Sequence, residues 1–220
     1  METKSIILKK DEASQKKVAE VLKAGGVAII PTDTVYGFSG ISSLGNGGVN
    51  KDEKTLPTGE GLCAPLSSSD PDSKIRAIKG RAETKPFIQL ISAPEDLALY
   101  TDDEIPASLL NKWPGALTII VHLKKSISLS KTLPTVAFRC PGDLWLRQII
   151  KECGAPIYST SVNRSGSPVL ETIPEIKDEF LNEVDLIIDD GDKRGALPST
   201  LVCLEGGKVK VLRQGSVRVD

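Results

Sequence analysis

The stretch GGVAIIPTDTVYGFSG, residues 25–40, decides how the chain is read. Residues 27–30 are apolar without interruption, and the run stops at Pro31. A short apolar run without alternation is the pattern of a strand covered on both faces, as in parallel and mixed sheets. The two glycines before it end a helix, because glycine takes the left-handed geometry past a helix C-terminus at little cost. That helix is expected over residues 11–24, where Val18, Val21 and Leu22 share one face. Directly after the strand come Thr32, Asp33 and Thr34, then an aromatic residue and a turn at Gly37. A buried strand that ends in such polarity points to a ligand.

Working outward, further strands are expected at residues 5–8, 87–91, 117–123, 136–139, 157–159 and 186–188, and helices at 143–152 and 174–181. TLVCLEGGKVKVLR, residues 200–213, reads as a hairpin turning at Gly206 and Gly207. Interleaved strands and helices argue for an α/β fold, a single domain over residues 1–220. Residues 42–73 break the pattern: they are rich in Gly, Ser and Pro and lack periodicity. This segment is expected to be a flexible insertion that leaves little helix before Lys79.

Composition narrows the function. The 220 residues carry 28 Lys+Arg against 29 Asp+Glu, a net charge of −1, with 4% aromatic residues. A duplex-gripping protein usually shows a basic excess, and a single-strand binder needs aromatics for stacking. The four cysteines, Cys63, Cys140, Cys153 and Cys203, have neither metal-ligand spacing nor a disulfide framework. They read as reduced thiols of a cytoplasmic protein. No apolar run approaches the ~18 residues of a membrane span, so no membrane partner is expected. The one histidine, His122, excludes His-clustered zinc chemistry and reads as structural. Neither GxxxxGK[ST], nor GxGxxG opening a helix, nor GxSxG occurs.

Polar clusters instead sit at the ends of apolar runs. Lys79, Arg81 and Lys85 precede Phe87, Arg139 ends TVAFR, and Thr160, Ser161, Asn163, Arg164 and Ser165 follow PIYS. Ser199 and Thr200 precede the hairpin, and Arg213 closes it. Ligands of open α/β sheets bind beyond strand ends, so the clusters read as one site built from many loops. Two like charges ~4 Å apart repel by about 4 kcal/mol at an effective dielectric of ~20. Converging cations therefore call for an anion, and the arginine fork suits phosphate and carboxylate. Hydroxyls and Asn163 suit the neutral parts of a small ligand. Each cluster taken singly is equally well a solvated turn.

On these residues the chain resembles the YrdC/TsaC-type threonylcarbamoyl-AMP synthases. The likeness rests on GGVAIIPTDTVYGFSG, KGRAETKPFIQLI, WPGALTIIV with VAFRCPGD, and PIYSTSVNRSGSPV with PSTLVCLEGGKVKVLRQGS. The pairs Lys79/Arg81 and Ser161/Asn163 are its most diagnostic parts. The resemblance implies a single-domain YrdC-like twisted mixed β-sheet with flanking helices and a concave electropositive cavity. It implies that L-threonine, bicarbonate and ATP become threonylcarbamoyl-AMP and pyrophosphate, with Mg²⁺ on the phosphates. Downstream transferase proteins then carry the group to tRNA, which this protein meets indirectly, with at most weak direct RNA binding.

By the same resemblance, Thr32, Thr34, Arg139, Ser159 and Ser199 are threonine contacts, with Arg139 on the carboxylate. Arg81, Lys85, Thr135, Ser161, Arg213 and backbone near Val169 are ATP contacts. Lys79, Arg81, Ser161 and Asn163 form the catalytic set: Lys79 faces the phosphates, and Asn163 holds the loop or a ligand oxygen. Asp33 receives no role. The chain resembles the family's short form. Two other readings stay open: an RNA-binding module using the basic cavity, and a carbamoyl-transfer domain of the same fold.

Overall fold

The computed structural model describes residues 5–45, 70–81, 86–127 and 135–219. Among them, ten strands form one twisted mixed sheet. They are β1 Ser5–Leu8, β2 Ala28–Ile30, β3 Gly37–Ser39, β4 Ile88–Leu90, β5 Leu117–His122, β6 Thr135–Arg139, β7 Ile157–Ser161, β8 Leu186–Asp189, β9 Thr200–Glu205 and β10 Lys208–Arg213. The helices are α1 Ser14–Lys23, α2 Pro71–Lys79, α3 Ala107–Leu110, α4 Leu144–Cys153 and α5 Ile173–Phe180, with a 3₁₀ turn at Pro94–Leu99. The strand order is β1-β8-β2-β3-β7-β4-β6-β5-β9-β10. β8 runs parallel to β1 and β2, β4 to β6, and β5 to β9; the other neighbours are antiparallel.

The apolar run of residues 27–30 is the double-faced strand expected of it. Val27 and Ile29 pack with Ile75, Ile78, Ile176 and Phe180, under α2 and α5. Ala28 and Ile30 pack with Val18, Leu22, Leu146 and Ile149, under α1 and α4. β8 repeats the division, with Ile187 on the first side and Leu186 and Ile188 on the second. Side chains alternate along a strand, so only residues apolar at every position serve a sheet covered twice.

The other half of the sheet is covered on one face only. Leu117, Ile119 and Val121 of β5, Val136 and Phe138 of β6 and Val202 of β9 pack with Tyr100, Leu109 and Trp113. The alternate residues Thr118, Ile120, Ala137, Arg139 and Leu201 therefore turn to the opposite face, where polar positions are tolerated. This asymmetry places the functional side chains.

Two elements differ from the sequence-based reading. Gly37–Ser39 is a strand, not only a turn, and pairs antiparallel with both β2 and β7. The expected shortage of helix before Lys79 is also corrected: Lys79 ends the nine-residue helix α2. Asp70 caps it by accepting from Ser73 N at 3.2 Å, Pro71 opens it, and Gly80 closes it at φ 60°. The Asp, Pro and Gly that make this stretch look like loop are the punctuation of a helix. Both ends of residues 42–73 thus belong to the fold, since Ser42 N also donates to Pro156 O at 2.9 Å. Residues 46–69 of the expected insertion lie outside the described residues, as does Lys85. Among the described residues no helix is long and apolar enough to cross a membrane.

Asp70→Ala removes the α2 cap. It is expected to cost ~1 kcal/mol and to lower the thermal midpoint by about 2–4 °C. A midpoint equal to wild type in a calorimetric scan would show that α2 does not depend on this cap.

Candidate active site

A cavity of about 310 Å³ lies on the face of the sheet that carries the alternate residues of β5, β6 and β9. Thr32, Thr34, Arg139, Ser159 and Ser199 all line it, as do Arg81, Ser161 and Arg213. Ile120, Ala137 and Leu201 form an apolar floor, and Phe87 and Pro198 contribute walls. Residues spread over 180 positions of sequence thus meet in one space, of the size usual for small-molecule sites.

Arg139 is its most constrained member. The side chain leaves the end of β6 and is 4% exposed. Its Nε donates to Gly115 O at 3.1 Å, and its Nη1 to Thr34 Oγ1 at 2.9 Å. Its Nη2 donates to Asp33 Oδ1 in an ion pair. Asp33 Oδ2 in turn accepts from Gly142 N at 2.9 Å. A Cβ at position 142 would sit 3.0 Å from that oxygen, which explains the glycine. The role missing for Asp33 in the sequence is thereby supplied: it neutralises and orients Arg139. A guanidinium has five N–H donors; three are spent here and two remain, which is the number one bidentate carboxylate takes.

The threonines beside it form a one-way chain. Thr32 Oγ1 donates its single proton to Val35 O at 2.8 Å. The 2.9 Å contact between the two hydroxyls must therefore run from Thr34 to Thr32. Thr32 Oγ1 also accepts from Thr34 N at 3.1 Å, so its donor and both lone pairs are engaged. Thr34 keeps one lone pair for the cavity. The resemblance makes both threonines ligand contacts; in the structure Thr32 holds the loop, and Thr34 has the spare acceptor.

The Ser159 side chain has no hydrogen bond among the described residues, and a Cβ at position 37 would come 3.0 Å from its Oγ. Gly37 therefore keeps this hydroxyl clear. Arg213 donates from Nε and Nη2 to Ser199 O at 3.1 and 2.9 Å, and from Nη2 to Ser199 Oγ at 3.1 Å. Arg81 reaches Thr160 Oγ1 at 3.3 Å and Pro86 O at 3.1 Å, and its guanidinium lies 5.0 Å from the Phe87 ring centre. Its Nε is buried without a partner among the described residues. Among the described residues neither Arg81 nor Arg213 has a carboxylate partner. Burial, then the neighbouring Arg76, lowers the pKa of Arg81; burial, then Arg139, lowers that of Arg213. Both cations would gain from an anion in the cavity.

The remaining expected residues lie elsewhere. Lys79, 3% exposed, is not in the cavity wall: its Nζ donates to Ser161 O at 2.6 Å, Asn163 O at 2.8 Å and Asn163 Oδ1 at 2.9 Å. Burial and Arg81 push it down to about 8. The three acceptors match its three protons, so the ammonium form is the one that fits. Asn163 is also behind the wall: Ser161 Oγ donates to its Oδ1 at 2.7 Å, while its Nδ2 donates to Arg164 O and Ser167 O. In this arrangement Lys79 clamps the loop that carries Ser161, and Asn163 holds it. Thr135 and Val169 are exposed and do not line the cavity. His122 is exposed and bonded to Asp103.

A family model described as Telomere recombination (Sua5_yciO_yrdC) matches residues 56–215. The putative threonylcarbamoyl-AMP synthase of Methanocaldococcus jannaschii is 28% identical over 216 residues, covering 96% of this chain and 91% of its own. The structure of Pyrococcus abyssi Sua5 complexed with L-threonine superposes with a TM-score of 0.74 at 27% identity, over 96% of this chain. This chain spans 57% of that protein. Escherichia coli YciO, 22% identical, shares the fold with a TM-score of 0.72, over 96% of this chain and 93% of its own.

Asp33→Ala strands the Arg139 charge at 5% side-chain exposure. Urea unfolding is expected to show a loss of about 2–3 kcal/mol, below the cost for a fully buried pair because Asp33 is partly solvated. A loss under ~0.5 kcal/mol would contradict the pairing.

Proposed function

Since the chain belongs to the Sua5/YciO/YrdC family, we propose that it is a threonylcarbamoyl-AMP synthase working at this cavity. The observation that carries the reading is the convergence of three guanidiniums on one hydroxyl-lined space, two of them without an ion-pair partner among the described residues. That donor set suits a substrate pair bearing one carboxylate and several phosphates. Relatives named for this activity span 90–96% of the chain. They favour it over an RNA-binding module or a carbamoyl-transfer domain.

In this reading Arg139 takes the threonine carboxylate with its two unspent N–H groups. Thr34, with one open lone pair, accepts from the amine. Ser159 and Ser199 complete the amino-acid end. Arg81, Ser161 and Arg213 receive the nucleotide; the same role for Lys85, outside the described residues, rests on the resemblance alone. Lys79 and Asn163 support Ser161. Thr135 and the backbone near Val169 reach the nucleotide only if it extends past the cavity rim.

The amine is carboxylated by bicarbonate with loss of water. A carbamate oxygen then attacks the α-phosphorus of ATP, the bond to the β-phosphate oxygen breaks, and pyrophosphate leaves. The new mixed anhydride is threonylcarbamoyl-AMP. The chain's part is positioning and charge stabilisation. Two anionic reactants are held together by fixed guanidiniums, in a site that needs no covalent nucleophile. Among the described residues no three His, Cys, Asp or Glu gather into a metal site, and Asp33 is spent on Arg139 and Gly142. Mg²⁺ would therefore be carried by the phosphates rather than by a cluster of side chains, and would supply neutralisation of their charge. Transfer of the product to tRNA falls to downstream proteins.

Pyrophosphate release from ATP is the direct test. It should require both L-threonine and bicarbonate; release that ignores threonine would overturn the assignment. Arg81→Ala should lower kcat/KM at least ~100-fold, the scale of losing a charge-stabilising donor, with an unchanged circular dichroism spectrum. Near-normal turnover would remove Arg81 from the nucleotide site.

A further inference from the structure

Behind Ser199 lies a second hydroxyl that no part of this reaction uses. Thr118 projects from β5 on the cavity side of the sheet and is fully buried. Its Oγ1 is 2.7 Å from Ser199 Oγ, and this is its sole side-chain hydrogen bond among the described residues. β5 and β9 run parallel, with Leu117 opposite Thr200. Thr200 N also donates to Ala116 O at 2.9 Å, so the residues before β9 are fixed against β5.

The direction of the 2.7 Å bond follows from counting protons. If Ser199 donated, the Thr118 proton would be left in the core without an acceptor, at a cost of about 1–3 kcal/mol. If Thr118 donates, nothing is left unpaired. Ser199 Oγ then accepts from Thr118 and, at 3.1 Å, from Arg213 Nη2. Both its lone pairs are filled and its own proton is free. Ser199 lines the cavity, so that proton is available to whatever the cavity holds.

We infer that Thr118 is a positioning residue that makes Ser199 a dedicated donor. Ser199 then recognises an acceptor oxygen, such as a carboxylate, carbamate or phosphate oxygen, and rejects an ammonium group. Ser199 and the two unspent N–H groups of Arg139 then offer the cavity donors, which suit the oxygens of a ligand. Thr34, bonded to Arg139 Nη1 at 2.9 Å, has only an acceptor left to offer, which suits an amine. This division of hydrogen-bond polarity fixes which way round an amino acid enters. The inference rests on the proposed amino-acid and nucleotide site for its substrate, but not for the direction of the bond.

Two measurements separate these layers. Neutron diffraction from the perdeuterated free protein should place the Thr118 deuteron on the line to Ser199 Oγ and the Ser199 deuteron toward the cavity. The reverse orientation overturns the inference whatever the enzyme does. In pyrophosphate-release assays, Thr118→Val should raise KM for L-threonine about five- to tenfold, the scale of one hydrogen bond, with KM for ATP changed less than twofold. Thr118→Ser, which keeps the proton, should recover most of the loss. In a Ser199→Ala background Thr118→Val should add nothing, because the partner it orients is gone. A Thr118→Val effect that persists in that background, or no effect on KM for threonine, also overturns it. A wild-type enzyme with no threonine-dependent release would instead overturn the functional reading, leaving the neutron result to decide the bond.

Discussion

A buried guanidinium must be held, and Arg139 is held from three directions. The connection between β2 and β3 supplies Asp33 and Thr34, and the loop before β5 supplies Gly115 O. That loop is itself tied down, with Gly115 N bonded to Cys140 O and Trp113 Nε1 to Leu117 O. The doubly covered half of the sheet is thereby joined to the singly covered half at one side chain. An uncompensated cation there would cost several kcal/mol, so splaying the two halves would break the contacts to Asp33 and Thr34 and strand the charge. What the fold gains in rigidity, the site gains in aim: the two remaining N–H groups belong to a guanidinium fixed through three of its donors.

The cations divide into those that hold and those that are left open. Lys79 spends all its protons on the loop of residues 161–163, and Arg164 is turned away onto Glu179 and Glu183. Arg81 and Arg213 instead face a shared cavity, without an ion-paired carboxylate among the described residues. The first group builds the walls and the second waits for an anion. The hydroxyls divide in the same way. Thr32 is saturated and structural, while Thr34, Ser159 and Ser199 keep capacity facing the cavity.

Much of this was legible in the sequence. Residues 27–30 announced a strand buried on both faces because they have no polar position, and alternation has no other meaning there. The polar clusters announced a site because each sits where an apolar run stops, and eight of the expected residues do meet. The partner of Arg139 was not legible, because a single Asp 106 positions away carries no local signal. Thr118 was hidden for the same reason: inside LTIIV it looks like one β-branched strand residue among others. Helix α2 was obscured because its cap residues share the composition of the preceding loop. Where the Lys79 ammonium points is not legible either: sequence tells that a lysine is present but not that its three protons go to Ser161 O, Asn163 O and Asn163 Oδ1. Thr135 lies two positions before Ala137, on the same face of β6, yet the strand carries it past the cavity. That is a matter of where the walls end, which no pattern encodes.

The central claim is that two unspent N–H groups on a rigidly held Arg139 recognise a carboxylate. Calorimetric titration of the protein with L-threonine and with L-threoninol, which replaces the carboxylate by a hydroxymethyl group, tests it most directly. The account predicts binding of threonine and a loss of at least ~30-fold for threoninol, the scale of a charge-assisted bidentate pair. Equal affinity for the two would contradict it.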